Sequence, residues 1–228
     1  MAIKLPVILD SSELSFPNPL NSDKAGLVAI GGDLSPERLL IAYQQGIFPW
    51  FDPGSPILWW SPDPRLLLNP TRFKLTRSLK QTLKKPYTFK IDTAFAEVVH
   101  ACAQIEERVN KTWISRAMEE AYLQLHKLGY AHSFEIWSED RLIGGLYGLS
   151  LGRAFFGESM FHHVRDASKL AFYHLCRTLS AWQFDFIDCQ MPTPHLQSLG
   201  AEVISRDNFM QLLQNTLIYP SRQGLWTD

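Results

Sequence analysis

LIGGLYGLSLGRAFFGESMF, residues 142–161, reads as two strands joined at Leu151-Gly152-Arg153 and carries one carboxylate, Glu158. Glycine weakens an ordinary strand, and its usual justification is close approach of another group to the backbone. Glycines at 144, 145, 148 and 157 therefore point to a bound ligand beside these strands. Phe155, Phe156, Met160 and Phe161 surround Glu158 with apolar neighbours. A poorly solvated acid is suited to proton chemistry or to holding a cation, and the plainer alternative is a buried acid satisfied by backbone donors.

Working outward, the chain alternates helices and strands in an α+β pattern with consecutive antiparallel strands. Strands are expected at 131–137, 142–150, 153–157 and 184–190, with a helix over 167–182. In 184–190 the period of two puts Asp188 and Gln190 on one face, about 7 Å apart. The connection rules for strands bring that pair toward Glu158, as suits the handling of an amine, general base work, or both, the plainer alternative being a structural network. Phe172, Leu175 and Leu179 form one helical stripe, which ordinarily means core; alternatively, with Leu146 and Phe155 facing it, the stripe shapes a pocket for an apolar side chain. Cys189 has no histidine at a fixed spacing, and His162, His163 and His174 lack the spacing of a metal site. Upstream, Ser35-Pro36-Glu37 starts a helix over 36–45 that Gly46 stops. Residues 48–65 hold five prolines and three tryptophans, which reads as a rigid, irregular loop packed over a site. Further helices are expected at 76–85, 94–103, from Ser115 to Gly129, and at 208–217, with a strand over 87–91.

With 228 residues, 46% of them hydrophobic, the chain can build one substantial core or a main domain with an appendage. No run approaches the length of a membrane span, and Pro6 and Asp10 break the N-terminal apolar stretch, so neither a signal peptide nor a span is expected. Three cysteines without a CxxC pair suit a reducing cytoplasm. Net charge is −1, yet Arg72, Lys74, Arg77, Lys80, Lys84, Lys85 and Lys90 lie between Pro70 and Ile91 with no acid among them. The rest of the chain carries 15 basic against 23 acidic residues. A local cationic patch on an acidic background is the footprint of a polyanion site, or else a solvated helix face.

GGDLSPERLLIAYQQGIFPWF (31–51), LWWSPDPR (58–65), TWI (112–114), GGLYG (144–148), FFGESMF (155–161), DASK (166–169) and DCQMPTPHLQSLGA (188–201) together resemble the leucyl/phenylalanyl-tRNA–protein transferase family. The resemblance implies a small N-terminal domain over residues 1–62 and a GNAT-like acyltransferase domain over 63–228 with a central mixed, largely antiparallel sheet. It implies transfer of leucine or phenylalanine, less readily methionine, from aminoacyl-tRNA to proteins with N-terminal arginine or lysine. Such an enzyme is expected to act as a cytoplasmic monomer without CoA, metal or other cofactor. By motif, Trp50 and Trp113 stack on the terminal adenosine. Leu146, Phe155, Phe172, Leu175, Leu179 and Ile187 line the side-chain pocket, although simple alternation points Ile187 away from it. Glu158, Asp188 and Gln190 hold the acceptor amine, and Arg72, Lys74, Arg77, Lys80, Lys84 and Lys85 meet the tRNA backbone. Lys111 and the pair His162-His163 depart from the family's usual residues. The rival readings are a CoA-dependent acetyltransferase, against which residues 164–168 offer no glycine for a pyrophosphate, and a non-catalytic RNA-binding module, which needs no Asp188-Gln190 pair.

Overall fold

A computed structural model describes residues 6–10, 13–104 and 114–227. The chain begins with strands β1 (Val7–Leu9) and β2 (Leu27–Gly31), helix α1 (Pro36–Gln44), and strands β3 (Phe48–Pro49) and β4 (Leu58–Trp60). The start of α1 follows its sequence: the Ser35 hydroxyl accepts from the Arg38 N–H, and Pro36 takes the first helical position, where no N–H is needed. Gly46, at φ 68°, takes the left-handed conformation that ends it. The four strands pair in the order β1-β2-β4-β3, with β1 parallel to β2. Residues 48–65 are thus less irregular than their prolines suggest: they supply β3 and β4, and Trp59 anchors them by full burial and a hydrogen bond from Nε1 to the Gly31 carbonyl.

The remainder runs β5 (Arg65–Leu68), α2 (Arg77–Thr82), β6 (Thr88–Ile91), α3 (Phe95–Ala103), α4 (Arg116–Lys127), β7 (Ala131–Ser138), β8 (Arg141–Leu151), β9 (Ala154–His162), α5 (Ala167–Ala181), β10 (Phe186–Asp188), α6 (Pro194–Ser198), β11 (Glu202–Ile204) and α7 (Arg206–Leu217). Seven strands form a mixed sheet in the order β11-β5-β10-β9-β8-β7-β6, in which β9 and β10 run parallel and the other pairs are antiparallel. The expected α+β class with a mixed, largely antiparallel sheet is what the chain adopts. Alternation along β8 sends Leu146 toward α5 and Tyr147 and Leu149 to the opposite face. That opposite face packs against α3 and α4 and also against Leu39 and Tyr43 of α1, so the N-terminal segment and the large sheet share a core.

Two differences from the sequence expectation position the site. β9 does not stop at Gly157 but continues to His162, through a bulge: Gly157 pairs with Gly148 and Ser159 with Tyr147, leaving Glu158 as the extra residue. Gly148 is required here, because a Cβ on it would lie 2.2 Å from the Phe156 carbonyl oxygen. β10 spans 186–188 instead of 184–190, because Gln190 turns out of the strand at φ 62°. The basic helix is also shorter than expected: α2 ends at Thr82, with Leu79 as its buried residue.

Candidate active site

β10 accompanies β9 only across Ala154, Phe155 and Phe156. Beyond Phe156 the two chains part, and the gap is a cavity of about 250 Å³. Leu146, Met160, Phe172, Leu175 and Ile187 give it an apolar wall; Glu158 and Gln190 are polar groups facing it, and Trp50, 39% exposed, stands with Pro49 at its rim.

Glu158 is 9% exposed, and every polar contact it makes comes from a different element. Tyr43 of α1 donates its hydroxyl to Oε1 at 2.6 Å, Tyr122 of α4 donates to Oε2 at 2.8 Å, and Gln190 Nε2 donates to Oε1 at 2.9 Å. The two tyrosine hydroxyls also touch one another. Burial is the largest influence on the acid and pushes its pKa from 4.5 up to about 7; the tyrosine hydrogen bonds oppose this, nearby Asp188 adds to it, and Arg65 offsets part. The same burial, together with the facing carboxylate, holds both tyrosines well above their ordinary pKa, so they remain donors. A carboxyl poised near neutrality beside an apolar cavity is suited to taking a proton from an amine and returning it.

Asp188 is fully buried and gives both oxygens to Arg65, at 2.9 Å to Nε and 2.6 Å to Nη2. The guanidinium of Arg65 lies between the rings of Phe48 and Phe209, 4.8 and 4.4 Å from their centroids. Asp188 Oδ1 also accepts the Gln190 backbone N–H at 2.9 Å. Asp188 does not line the cavity; it fixes the turn that aims Gln190 at Glu158. The three residues expected to converge do come together, but by a turn at Gln190 and not by strand alternation.

Of the six expected pocket residues, Leu146, Phe172, Leu175 and Ile187 line the cavity. Phe155 and Leu179 do not; both are fully buried behind it, where Phe155 packs toward Trp226. Ile187 reaches the cavity through ordinary alternation, since it is Asp188 that faces the other side. Cys189 also borders the cavity, and burial pushes its thiol well above the ordinary value, which disfavours a thiolate. Trp113, Lys111 and Thr112 lie outside the described residues. Arg72, Lys74, Arg77, Lys80, Lys84 and Lys85 are all exposed, and Phe73 among them packs its ring 5.9 Å from Phe172, tying the basic segment to the cavity's outer wall. Arg72 pairs at 3.5 Å with Glu202. Among the described residues no group of three or more His, Cys, Asp or Glu side chains forms a metal-binding cluster, and no helix is long and apolar enough to cross a membrane.

Sequence reasoning missed Tyr43, Tyr122 and Arg65. The available signal was tyrosine, not leucine or phenylalanine, on the inward faces of two helices, because a buried hydroxyl requires a partner.

A leucyl/phenylalanyl-tRNA–protein transferase of Legionella pneumophila (strain Corby) is 61% identical over 216 residues, covering 95% of this chain and 97% of that one. The protein of the same name from Desulfatibacillum aliphaticivorans is 53% identical over 225 residues, covering 98% and 97%. Among solved structures, L-PGS from Bacillus licheniformis aligns with a TM-score of 0.41 and 9% identity, over 68% of this chain and 51% of that one. The sequence profile of the leucyl/phenylalanyl-tRNA protein transferase N-terminal domain matches residues 32–63, which include Pro49 and Trp50 at the cavity rim, and that of the transferase itself matches residues 67–214, which supply the rest of the lining and carry Glu158, Asp188 and Gln190. The chain belongs to the leucyl/phenylalanyl-tRNA protein transferase family.

Proposed function

We propose that this protein takes leucine or phenylalanine, less readily methionine, from aminoacyl-tRNA and joins it to the α-amine of proteins that begin with arginine or lysine, marking them for degradation by the N-end route. The observation that carries the reading is an apolar cavity with one poised carboxyl, Glu158, bonded to the Gln190 amide at its polar side. Leu146, Phe172, Leu175 and Ile187 receive the aminoacyl side chain, Trp50 and Trp113 stack on the terminal adenosine, and the exposed cations of 72–85 meet the tRNA backbone.

The reaction is aminolysis of an ester. The acceptor nitrogen bonds to the aminoacyl carbonyl carbon, the carbon–oxygen bond to the terminal ribose breaks, and a proton passes from the nitrogen to the ribose oxygen. An α-amine has a pKa of about 7.7 to 8.0, close to that of Glu158, so Glu158 takes the ammonium proton at a cost of only about one pKa unit. Gln190, with Nε2 given to Glu158, offers its oxygen to orient the amine. Asp188, held by Arg65, is a positioning residue that fixes Gln190. Residues 1–62 act as a small N-terminal domain contributing Tyr43 and Trp50, residues 63–228 as the transfer domain, and the protein works as a cytoplasmic monomer.

The test supplies the protein with labelled leucyl-tRNA or labelled acetyl-CoA and a peptide beginning with lysine or arginine. Label on the peptide's α-amine from the tRNA alone is expected. Label from acetyl-CoA, or none from either donor, refutes the reading.

A further inference from the structure

Phe155 backs the cavity without lining it, and two contacts fix where its ring lies. Gly148, two residues past the lining residue Leu146 on β8, leaves the ring room: a Cβ there would stand 2.5 and 2.7 Å from its Cε1 and Cζ atoms. Trp226 is the second contact, with its ring centroid 6.2 Å from that of Phe155. Leu146, Phe172, Leu175 and Ile187 belong to the same buried cluster as Phe155 and Trp226, so the cavity wall and the indole share one packed interior.

Trp226 lies beyond α7, and a series of bonds carries it to this place. The Gly152 N–H donates to the Ser221 hydroxyl at 2.9 Å, Gln223 Nε2 donates to the Leu128 carbonyl at 2.8 Å, and the Gly224 N–H donates to the Gly129 carbonyl at 3.1 Å. A Cβ on Gly129 would lie 2.3 Å from the Gly224 nitrogen, so the two backbones meet directly. The Trp226 N–H then donates to Asp92 Oδ2 at 2.9 Å, an oxygen that is also 2.8 Å from His132 Nδ1. The indole lies flat on His132 with centroids 3.6 Å apart, meets Trp182 and Phe184 edge-on, and gives its Nε1 hydrogen to the Arg222 carbonyl at 2.9 Å. It is 3% exposed with its one donor satisfied, which holds it in a single position.

We propose that Trp226 sets the largest side chain the donor can carry: it holds Phe155 in place as the floor of the cavity, so that leucine and phenylalanine fit and the larger indole of tryptophan does not. This rests on the transferase reading above and names what limits its first substrate. Trp226 is a positioning residue, acting through Phe155. A close-packed interior leaves a void when a buried side chain is cut back, and neighbours shift into it in part. With the indole gone, Phe155 gains space on the side away from the cavity and the floor drops. One methylene in an apolar pocket is worth about 10- to 200-fold in selectivity, so a floor that yields by part of a ring changes which donors are used.

The test compares leucyl-, phenylalanyl- and tryptophanyl-adenosine as donors to a lysine-initiated peptide, so that contacts with the body of the tRNA do not enter. The unaltered enzyme should use the tryptophanyl donor less well than the leucyl donor, by about tenfold or more in kcat/KM. Trp226→Ala should raise the tryptophanyl-to-leucyl ratio by about tenfold or more while the KM for the peptide stays put, and Trp226→Phe should keep most of the original ratio. Trp226→Leu, a smaller truncation, should move the ratio the same way and serves if Trp226→Ala does not fold. Every truncation lowers the thermal unfolding midpoint, so the readout is the ratio: a purely structural role would reduce all donors by one factor. An unchanged ratio in the folded variants overturns the proposal, as does equal use of the tryptophanyl and leucyl donors by the unaltered enzyme. Failure of the transferase reading is separable, because the unaltered enzyme would then transfer from no donor at all.

Discussion

Replacing Glu158 by glutamine should change how stability depends on pH, in a direction fixed by the burial of the acid. In the folded protein its pKa is about 7, against 4.5 for the unperturbed group. Between those values the folded state keeps a proton that the unfolded chain releases, so the native protein loses stability as pH rises. The slope is about 1.4 kcal/mol per pH unit, and the full loss across the window is about 3 kcal/mol. Solvent screening does not reduce this much, since the residue is 9% exposed. Glu158→Gln removes the titration and serves as the reference. Urea unfolding of both proteins from pH 4 to pH 9 should give a difference in ΔG that is flat below about pH 4.5, falls steadily to about pH 7, and is flat above. Parallel curves over the whole range would refute the claim that burial raises the pKa of Glu158 toward neutrality, and with it the matching of that pKa to an acceptor amine.

Arg65→Met leaves the Asp188 carboxylate buried without its counter-charge and should cost about 3 to 5 kcal/mol in urea unfolding; a loss under about 1 kcal/mol would show that the pair is not what fixes the Gln190 turn. Lys80→Glu with Lys84→Glu should raise the KM for aminoacyl-tRNA and flatten its salt dependence while sparing a minimal aminoacyl-adenosine donor, and equal losses with both donors would exclude a backbone contact. Phe172→Ala opens the cavity wall and should lower kcat/KM for leucyl-tRNA by about tenfold or more, so normal use of leucine by that variant would remove Phe172 from the pocket.

Glu158 was legible because its apolar neighbours are adjacent in sequence, and burial is the cause of its perturbation. The tyrosines were not, because Tyr43 lies 115 positions before Glu158 and Tyr122 lies 36 before it, so a helical face shows that they point inward but not what their hydroxyls meet. The period of two placed Asp188 and Gln190 together for a reason that does not operate, since β10 ends at Asp188 and the left-handed Gln190 makes the meeting. Arg65 and Asp188 are separated by 123 positions, and an isolated arginine at a strand start carries no mark of its partner. Leu179 illustrates the converse limit: its stripe on α5 is real, but a stripe cannot say which member borders the cavity and which lies under it.

The Glu158 cluster draws on α1, α4, β9 and the turn after β10, elements that meet only through contacts of long sequence separation. Closing such loops is entropically expensive before packing compensates, so these contacts belong to the late steps of folding. Synthesis runs from the N-terminus, and a chain that has emerged only as far as Glu158 still lacks Asp188 and Gln190. A partly made chain therefore lacks the assembled cluster: until the last strands dock, no fragment holds both the Glu158 carboxyl and the Gln190 amide that bonds to it.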